Sequence, residues 1–313
     1  MSEQMQSVIR VHRYGGPEVL RLEQVPVPKP RDGEVLVRVQ AAAVLPNDWK
    51  MRQGQFQLIR PHTLPYIPGT SFSGIVEDAG ACPLEFQKGE AVFGRSLQGT
   101  YAEYTIARAD SLAMKPEQVS FEDAAAITGG AAPAWMALFA FGELEPGMKV
   151  LVHGAAGGVG MFAVQLARWR GAEVIGTAST ANVDFVRGLG AHQVIDYTST
   201  PFEQEVRDVD LVLDTIGGVV QERSLSVVKR GGSLVSMVGL PFAEMAEEMG
   251  IRTWFTSQLA DADVLQEIAR LLADGTLKAC TSRSFPLAEA RLAHELAETG
   301  HGRGRLMLNP PVA

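Results

Sequence analysis

The sequence predicts an α/β fold in two parts, a partly closed antiparallel β-barrel joined to a doubly wound parallel sheet. Two observations carry this. Residues 8–116 hold short runs of alternating apolar and polar residues broken by Gly and Pro, whereas residues 122–279 hold apolar strands alternating with stretches of helical period. A third observation, a glycine-rich segment directly after the first of those later strands, says what the second part can bind.

In the first part, Glu34-Val35-Leu36-Val37-Arg38-Val39, Gly74-Ile75-Val76-Glu77, Ala91-Val92-Phe93-Gly94 and Tyr101-Ala102-Glu103-Tyr104-Thr105-Ile106 have the period of two expected of antiparallel strands. In the second, strands are predicted at 149–153, 173–177, 193–195, 210–214, 233–238 and 251–255. Helices are predicted between and after them at 159–170, 181–189, 219–229 and 261–274. In the last helix Val264, Leu265, Ile268, Leu271 and Leu272 form one apolar stripe, and Gly275 supplies a stop. The tail, with Phe285-Pro286-Leu287, a helix over 288–298 and Gly304-Arg305-Leu306-Met307-Leu308, rejoins the first part. The expected domains are therefore 1–121 with 283–313, and 122–282.

A chain of 313 residues, 46% hydrophobic and 20% charged, can bury two such cores. Its net charge of -8 argues against a nucleic-acid partner. Residues Met1 to Gln6 are polar, and no apolar run reaches the roughly 18 residues of a membrane span, so neither a signal peptide nor a membrane partner is expected. Cys82 and Cys280 lie too far apart in sequence to form a disulfide framework. Both read as lone buried thiols, and the expected location is cytoplasmic.

The strand Val150-Leu151-Val152 runs into Gly154-Ala155-Ala156-Gly157-Gly158-Val159-Gly160, a helix follows, and Glu173-Val174-Ile175-Gly176 completes a βαβ unit. That is the setting of a Rossmann dinucleotide fingerprint. In register with G-x-G-x-x-G the three key positions are Ala155, Gly157 and Gly160. Gly157 lets the backbone approach a diphosphate, and Gly160 lets helix and strand pack closely. The amides opening the helix face the anion. Downstream, Asp214-Thr215-Ile216-Gly217-Gly218 and Met237-Val238-Gly239 place small residues just past strand ends, on the edge where open α/β sheets take ligands.

Cofactor choice is read at the end of the second strand, where an NAD site carries an acid for the ribose hydroxyls. Here the stretch from Thr177 through Ser179, Thr180 and Asn182 contains no acid before Asp184. The hydroxyls of Ser179 and Thr180 suit a 2′-phosphate, so NADPH is favoured. A zinc site is not expected, because neither cysteine sits in a C-x-x-C pair and His62 has no partner pattern. No G-x-S-x-G elbow occurs in a strand–turn–helix setting. His153, at the end of the first strand of the second part, is read as a packing residue in preference to a site wall.

In order along the chain, several segments resemble the medium-chain dehydrogenase/reductase superfamily, and specifically its zinc-free quinone oxidoreductase (zeta-crystallin-like) branch. They are Tyr14-Gly15-Gly16-Pro17-Glu18-Val19-Leu20, Pro65-Tyr66-Ile67-Pro68-Gly69 with Phe72-Ser73-Gly74-Ile75-Val76, and the loop Ala155 to Gly160. Leu189-Gly190-Ala191, Val194-Ile195-Asp196-Tyr197, Leu213-Asp214-Thr215 and His301-Gly302-Arg303-Gly304-Arg305 complete the series. The resemblance covers nearly the whole chain and explains the alanine at 155. It implies a GroES-like substrate domain, a Rossmann domain, a cleft between them and a homodimer. It also implies NADPH-dependent reduction of a quinone or of an alkene conjugated to a carbonyl. By the same resemblance Tyr197 lies near the adenosine 2′-phosphate, and Ile216, Gly217, Val238 and Gly239 run beside the nicotinamide half.

Three positions depart from that pattern. Leu45-Pro46-Asn47-Asp48 stands where relatives have Asn-Pro-x-Asp, with Asn47 two positions from the replaced amide. Pro133 stands where a helix-start Thr is common. Asn182 and Val183 stand where a basic residue often meets the 2′-phosphate.

The full set of cofactor candidates is thus Ala155, Ala156, Gly157, Gly158, Val159, Gly160, Thr177, Ser179, Thr180, Tyr197, Ile216, Gly217, Val238 and Gly239, with no metal ligands. The catalytic candidates are Asp48, Trp49 and Lys50: Lys50 to donate to the substrate oxygen as charge develops, and Trp49 to stack on a flat quinone. The reading from a different class is a non-catalytic NADPH-binding sensor or partner-binding paralogue, which Leu45 and Pro133 keep open.

Overall fold

Alternating apolar residues make β1 (Met5–Val11) and β2 (Leu20–Pro26) an antiparallel pair in full register from Met5 against Pro26 to Val11 against Leu20. The structure, a computed structural model, describes residues 3–58, 63–80, 86–256, 258–300 and 302–311. His62, Cys82 and His301, singled out above, lie outside the described residues.

The chain continues through β3 (Glu34–Val44), α1 (Pro46–Arg52), β4 (Ser71–Asp78), β5 (Ala91–Arg95), β6 (Tyr104–Arg108), β7 (Leu112–Met114) and α2 (Phe121–Ala126). There follow α3 (Ala132–Trp135), β8 (Lys149–Val152), α4 (Gly160–Trp169), β9 (Glu173–Ala178), α5 (Val183–Gly188), β10 (Gln193–Asp196) and α6 (Phe202–Glu205). Then come β11 (Val209–Asp214), α7 (Val219–Ser224), β12 (Val228–Ser236), α8 (Ala243–Glu248) and β13 (Arg252–Phe255). The chain closes with α9 (Ala262–Ala273), β14 (Thr281–Pro286), α10 (Ala290–Glu298) and β15 (Arg305–Asn309).

Contacts divide it into two units. The first is Met1–Gly129, Asp261–Ala273 and Cys280–Ala313; the second is Gly130–Ala260 with Asp274–Ala279. The division differs from the expected boundaries at both ends. The helix expected at 261–274 as part of the second domain is α9, and it packs on β7, so it groups with the first unit. Residues 122–129 group there too, because α2 lies on β3 and β4, with Ser71 Oγ donating to Ala125 O at 2.6 Å.

In the first unit β3 is the organising strand. It pairs with β4 along its length, with β6 through Glu34–Arg38 and with β15 through Ala42–Val44, and its register shifts twice against β4. Those irregularities bend the strand and let a seven-stranded sheet, β14-β15-β3-β4-β5-β7 with β6 on β3, curl into a partly closed barrel. Its interior is filled by Val35, Val37, Val39, Phe72, Val76, Val92, Tyr101 and Leu308, all at most 2% exposed. One pairing departs from the antiparallel expectation: β14 and β15 are parallel, with α10 as their crossover.

The second unit is a six-stranded, all-parallel sheet in the order β10-β9-β8-β11-β12-β13. This is the doubly wound order, with the reversal beside β8, so ligands are expected at the carboxyl ends of β8 and β11. Helix α7 stops at Ser224, shorter than expected, because the chain must turn at 225–227 to enter β12.

From Phe121 to Phe141 the chain is helical, with wide π-turns at Ile127–Ala131 and Met136–Phe141 on either side of Pro133. By length and composition this stretch could cross a membrane, although no unbroken apolar run marks it. Its best window is 67% buried within the protein, as a core helix is. Pro133 has no N–H to offer the carbonyl of Gly129 four residues back.

Candidate active site

The glycine loop begins where β8 ends. Gly154 has φ of +66°, a conformation that suits glycine, and a Cβ there would lie 2.6 Å from Thr215 Oγ1. The tight turn thus falls one residue before the first key position of the fingerprint, Ala155. Ala155 is fully buried, and its methyl has room because Gly176 on β9 faces it: a Cβ on Gly176 would come within 2.9 Å of Ala155 Cβ. Gly160 opens α4 pressed against the Gly154 carbonyl, which any side chain would overlap. Ala156 is also buried.

Within the loop Ala155 N donates to Thr177 O at 3.0 Å and Gly157 N to Gly154 O at 2.9 Å. A Cβ on Gly157 would meet only Gly154 O, at 3.2 Å, so on its other sides this is bare backbone that a side chain would cover. Gly157, Gly158 and Val159 are half-buried at the start of α4. Such a cradle fits a diphosphate.

Thr177 supports the loop from within the protein. It is 3% exposed, its Oγ1 lies 3.1 Å from His153 Nδ1, and it accepts weakly from Gly154 N at 3.4 Å. His153 is 1% exposed, bonded also to Ser224 Oγ at 2.9 Å and packed edge-on against Phe202. Burial pushes its pKa down to about 4, so it is a neutral packing residue.

Sequence reasoning missed the hub beneath the other two loops. The Asp214 carboxylate is fully buried at the end of β11. Its Oδ1 accepts from Ile216 N at 2.9 Å and Gly217 N at 2.8 Å; its Oδ2 accepts from Gln221 Nε2 at 2.7 Å and Ser236 Oγ at 3.1 Å. Gln221 Nε2 also donates to Gly239 O at 2.9 Å, and Val238 N donates to Ser236 Oγ at 3.2 Å. One buried carboxylate and one buried amide therefore tie loop 214–218 to loop 237–239, while Ile216 and Val238 stay exposed. The signal was present in Asp214-Thr215-Ile216-Gly217-Gly218, but Gln221 and Ser236 carry no motif of their own.

At the end of β9 Ser179 is half-exposed, and Tyr197, just past β10, is exposed. Thr180 corrects the expectation set for it. Its hydroxyl donates to Asp196 Oδ2 at 2.6 Å, so its proton is committed to a carboxylate.

In the first unit, α1 carries the three catalytic candidates. Leu45 caps it, and Asp48 Oδ2 accepts from Leu45 N at 2.8 Å. Asp48 is corrected from a site-facing group to a buried support, at 3% exposure, where Tyr101 OH donates to it at 3.2 Å and His294 Nε2 lies 3.0 Å from that hydroxyl. Burial raises Asp48 to about 7 and lowers His294 to about 3.

Arg52, one turn on from Asp48, is fully buried and pairs with Glu298. Lys50 and Trp49 are half-buried neighbours, with Lys50 Nζ 5.6 Å from the Trp49 ring centre. Asn47 is exposed, whereas Leu45 packs on Gly129, where a Cβ would lie 2.5 Å from Leu45 Cδ2. Arg305 Nη2 donates to Gly129 O at 2.8 Å, and burial lowers this arginine to about 10. Among the described residues no three His, Cys, Asp or Glu side chains are grouped to hold a metal ion.

A bare-backbone turn that fits a diphosphate, at the switch point of a parallel sheet in a chain that also carries a partly closed barrel, is the arrangement expected of a Rossmann-type dinucleotide-dependent oxidoreductase. The chain matches the alcohol dehydrogenase GroES-like domain over residues 31–117 and the zinc-binding dehydrogenase family over residues 189–308. It is 32% identical to quinone oxidoreductase of Pongo abelii over 98% of each chain. It is also 32% identical to the chloroplastic NADPH-dependent alkenal/one oxidoreductase of Arabidopsis thaliana, over 95% of this chain and 78% of that protein. The crystal structure of Escherichia coli quinone oxidoreductase complexed with NADPH superposes with a TM-score of 0.89 at 29% identity, covering 97% of this chain and 100% of that one. The chain belongs to the medium-chain dehydrogenase/reductase superfamily, among its quinone oxidoreductases.

Proposed function

We propose that the chain is an NADPH-dependent oxidoreductase that passes a hydride to a quinone or to an alkene conjugated to a carbonyl. The observation that carries this is the bare-backbone cradle at Gly157, set on the same sheet edge as two loops braced by Asp214. The curated relatives are reductases of quinones and of alkenals and alkenones, which does not favour a non-catalytic sensor.

In this reading the backbone amides of Gly158 and Val159 hold the diphosphate and the bare Gly157 lets it approach, with Ala155, Ala156, Thr177 and Gly160 shaping the loop. Ser179 and Tyr197 flank the adenosine ribose, and Ile216, Gly217, Val238 and Gly239 line the nicotinamide half. When bound, the reduced nicotinamide supplies the hydride. The protein's part is to orient the reactants, exclude water and donate to the oxygen on which charge develops. Lys50 is the proposed donor and Trp49 the stacking surface, both carried by the first unit, while Asp48 holds α1 in place.

The reaction is proposed to be zinc-independent and the location cytoplasmic. The proposed homodimer is supported by β13, an edge strand of the parallel sheet on which Trp254 is 43% and Phe255 50% exposed. NADPH oxidation measured against a panel of quinones and enones tests the function; tight NADPH binding with no turnover on any acceptor would sink it. Stoichiometric metal in the purified protein would overturn zinc independence, and a monomer by light scattering would overturn the dimer.

A further inference from the structure

The acid that sequence spacing fails to find at the end of β9 is delivered from the next strand. Parallel pairing sets Asp196 of β10 opposite Ala178 of β9, and Tyr197 N donates to Ala178 O at 3.1 Å. Asp196 therefore stands beside Ser179 and Thr180. Thr180 Oγ1 donates to its Oδ2 at 2.6 Å, while Thr198 donates to its Oδ1 from N at 3.0 Å and from Oγ1 at 2.6 Å. The bonded partners are threonines, and no cation is paired with it among the described residues. These hydrogen bonds, that from Thr180 foremost, hold the carboxyl below its ordinary range, so it is ionised at neutral pH.

A carboxylate at this strand end does two opposing things. It can accept from ribose hydroxyls, and it repels a 2′-phosphate. It also takes the Thr180 proton that a 2′-phosphate would otherwise use. Ser179 keeps its own: it accepts from Asn182 Nδ2 at 3.2 Å and donates its hydroxyl hydrogen to no acceptor among the described residues.

We infer that Asp196 is a specificity-determining residue of the adenosine-ribose site, which narrows the preference for NADPH over NADH so that the chain uses both. This rests on the NADPH-dependent reading above and deepens it.

The test is steady-state turnover of one quinone with NADPH and with NADH by the wild-type protein, Asp196→Asn, Asp196→Ser and Thr180→Val. Wild type should favour NADPH by less than about tenfold in kcat/KM, and Asp196→Asn and Asp196→Ser should each raise that ratio about tenfold further, through a lower KM for NADPH. Thr180→Val removes the hydrogen bond but keeps the charge, so its ratio should stay near wild type. A ratio unchanged in both Asp196 variants, or raised equally by Thr180→Val, overturns the inference by making Asp196 a structural support only. Wild type that binds neither dinucleotide by fluorescence overturns the functional reading itself, a result distinct from an unchanged ratio.

Discussion

Tyr101 and Asp48, 53 positions apart in sequence, meet in the interior of the first unit with the phenol donating to the carboxyl at 3.2 Å. His294 stands behind the phenol, and the Leu45 amide that starts α1 stands in front of the carboxyl. The placement of Lys50 and Trp49 thus depends on a chain of buried polar groups that ends on the far helix α10.

That chain makes stability depend on pH in a way that can be signed. Asp48 is raised by burial from 3.8 to about 7. Across that window the folded state keeps a proton the unfolded state has released, so this group's contribution falls as pH rises and is lost above about 7. His294 and His153, lowered by burial to about 3 and about 4, act in the opposite sense, and their contribution grows as pH rises toward 6.5. Asp48→Asn should remove the falling limb. Urea midpoints across the range from pH 5 to pH 8 should then rise more steeply toward neutrality than in wild type; an unchanged profile would refute the assignment.

The two loop glycines should fail differently. Gly160→Ala drives a methyl into the Gly154 carbonyl, so it should cost roughly 1–3 kcal/mol of stability as an overpacked site. Gly157→Ala meets only one atom at 3.2 Å and should leave the melting temperature nearly unchanged while weakening NADPH binding about tenfold or more. Thermal melts paired with fluorescence titration separate the two, and equal losses of stability would count against the cradle.

Gln221 offers a third test. Gln221→Leu keeps the volume but leaves Asp214 Oδ2 and Gly239 O short of a donor, at a cost of about 1–3 kcal/mol. If loops 214–218 and 237–239 hold the nicotinamide half, NADPH affinity should drop while 2′,5′-ADP, which lacks that half, binds as before. Parallel losses for both ligands would make the residue merely structural.

Lys50→Met removes the proposed donor and keeps the stem. Turnover of a quinone should fall about tenfold to a hundredfold in kcat, with the dissociation constant for NADPH unchanged. Retained kcat would remove Lys50 from the mechanism.

Most of the second unit was legible because a parallel sheet writes itself into sequence as apolar strands at regular spacing, and the glycine loop follows the first of them. What was hidden depends on register and packing. Asp196 lies well beyond the expected acidic position and reaches it only because β10 pairs with β9. Helix α9 has the amphipathic period of any helix, and nothing in that period says which unit it will pack on. Asp48 carries the charge of a site residue, and only the surrounding Tyr101, His294 and Arg52 reveal that it is enclosed.

The facing of Ala155 and Gly176 has a consequence for how such chains can change. The two positions occupy one space between loop and strand, closed on its other side by Val186 of α5 at 2.9 Å, so a larger residue at 176 needs both 155 and 186 to give way. Chimeras that exchange the loop without β9, or β9 without the loop, break this pairing even when each piece is sound. The smallest portable block is therefore the βαβ segment together with α5, from Lys149 to Gly188.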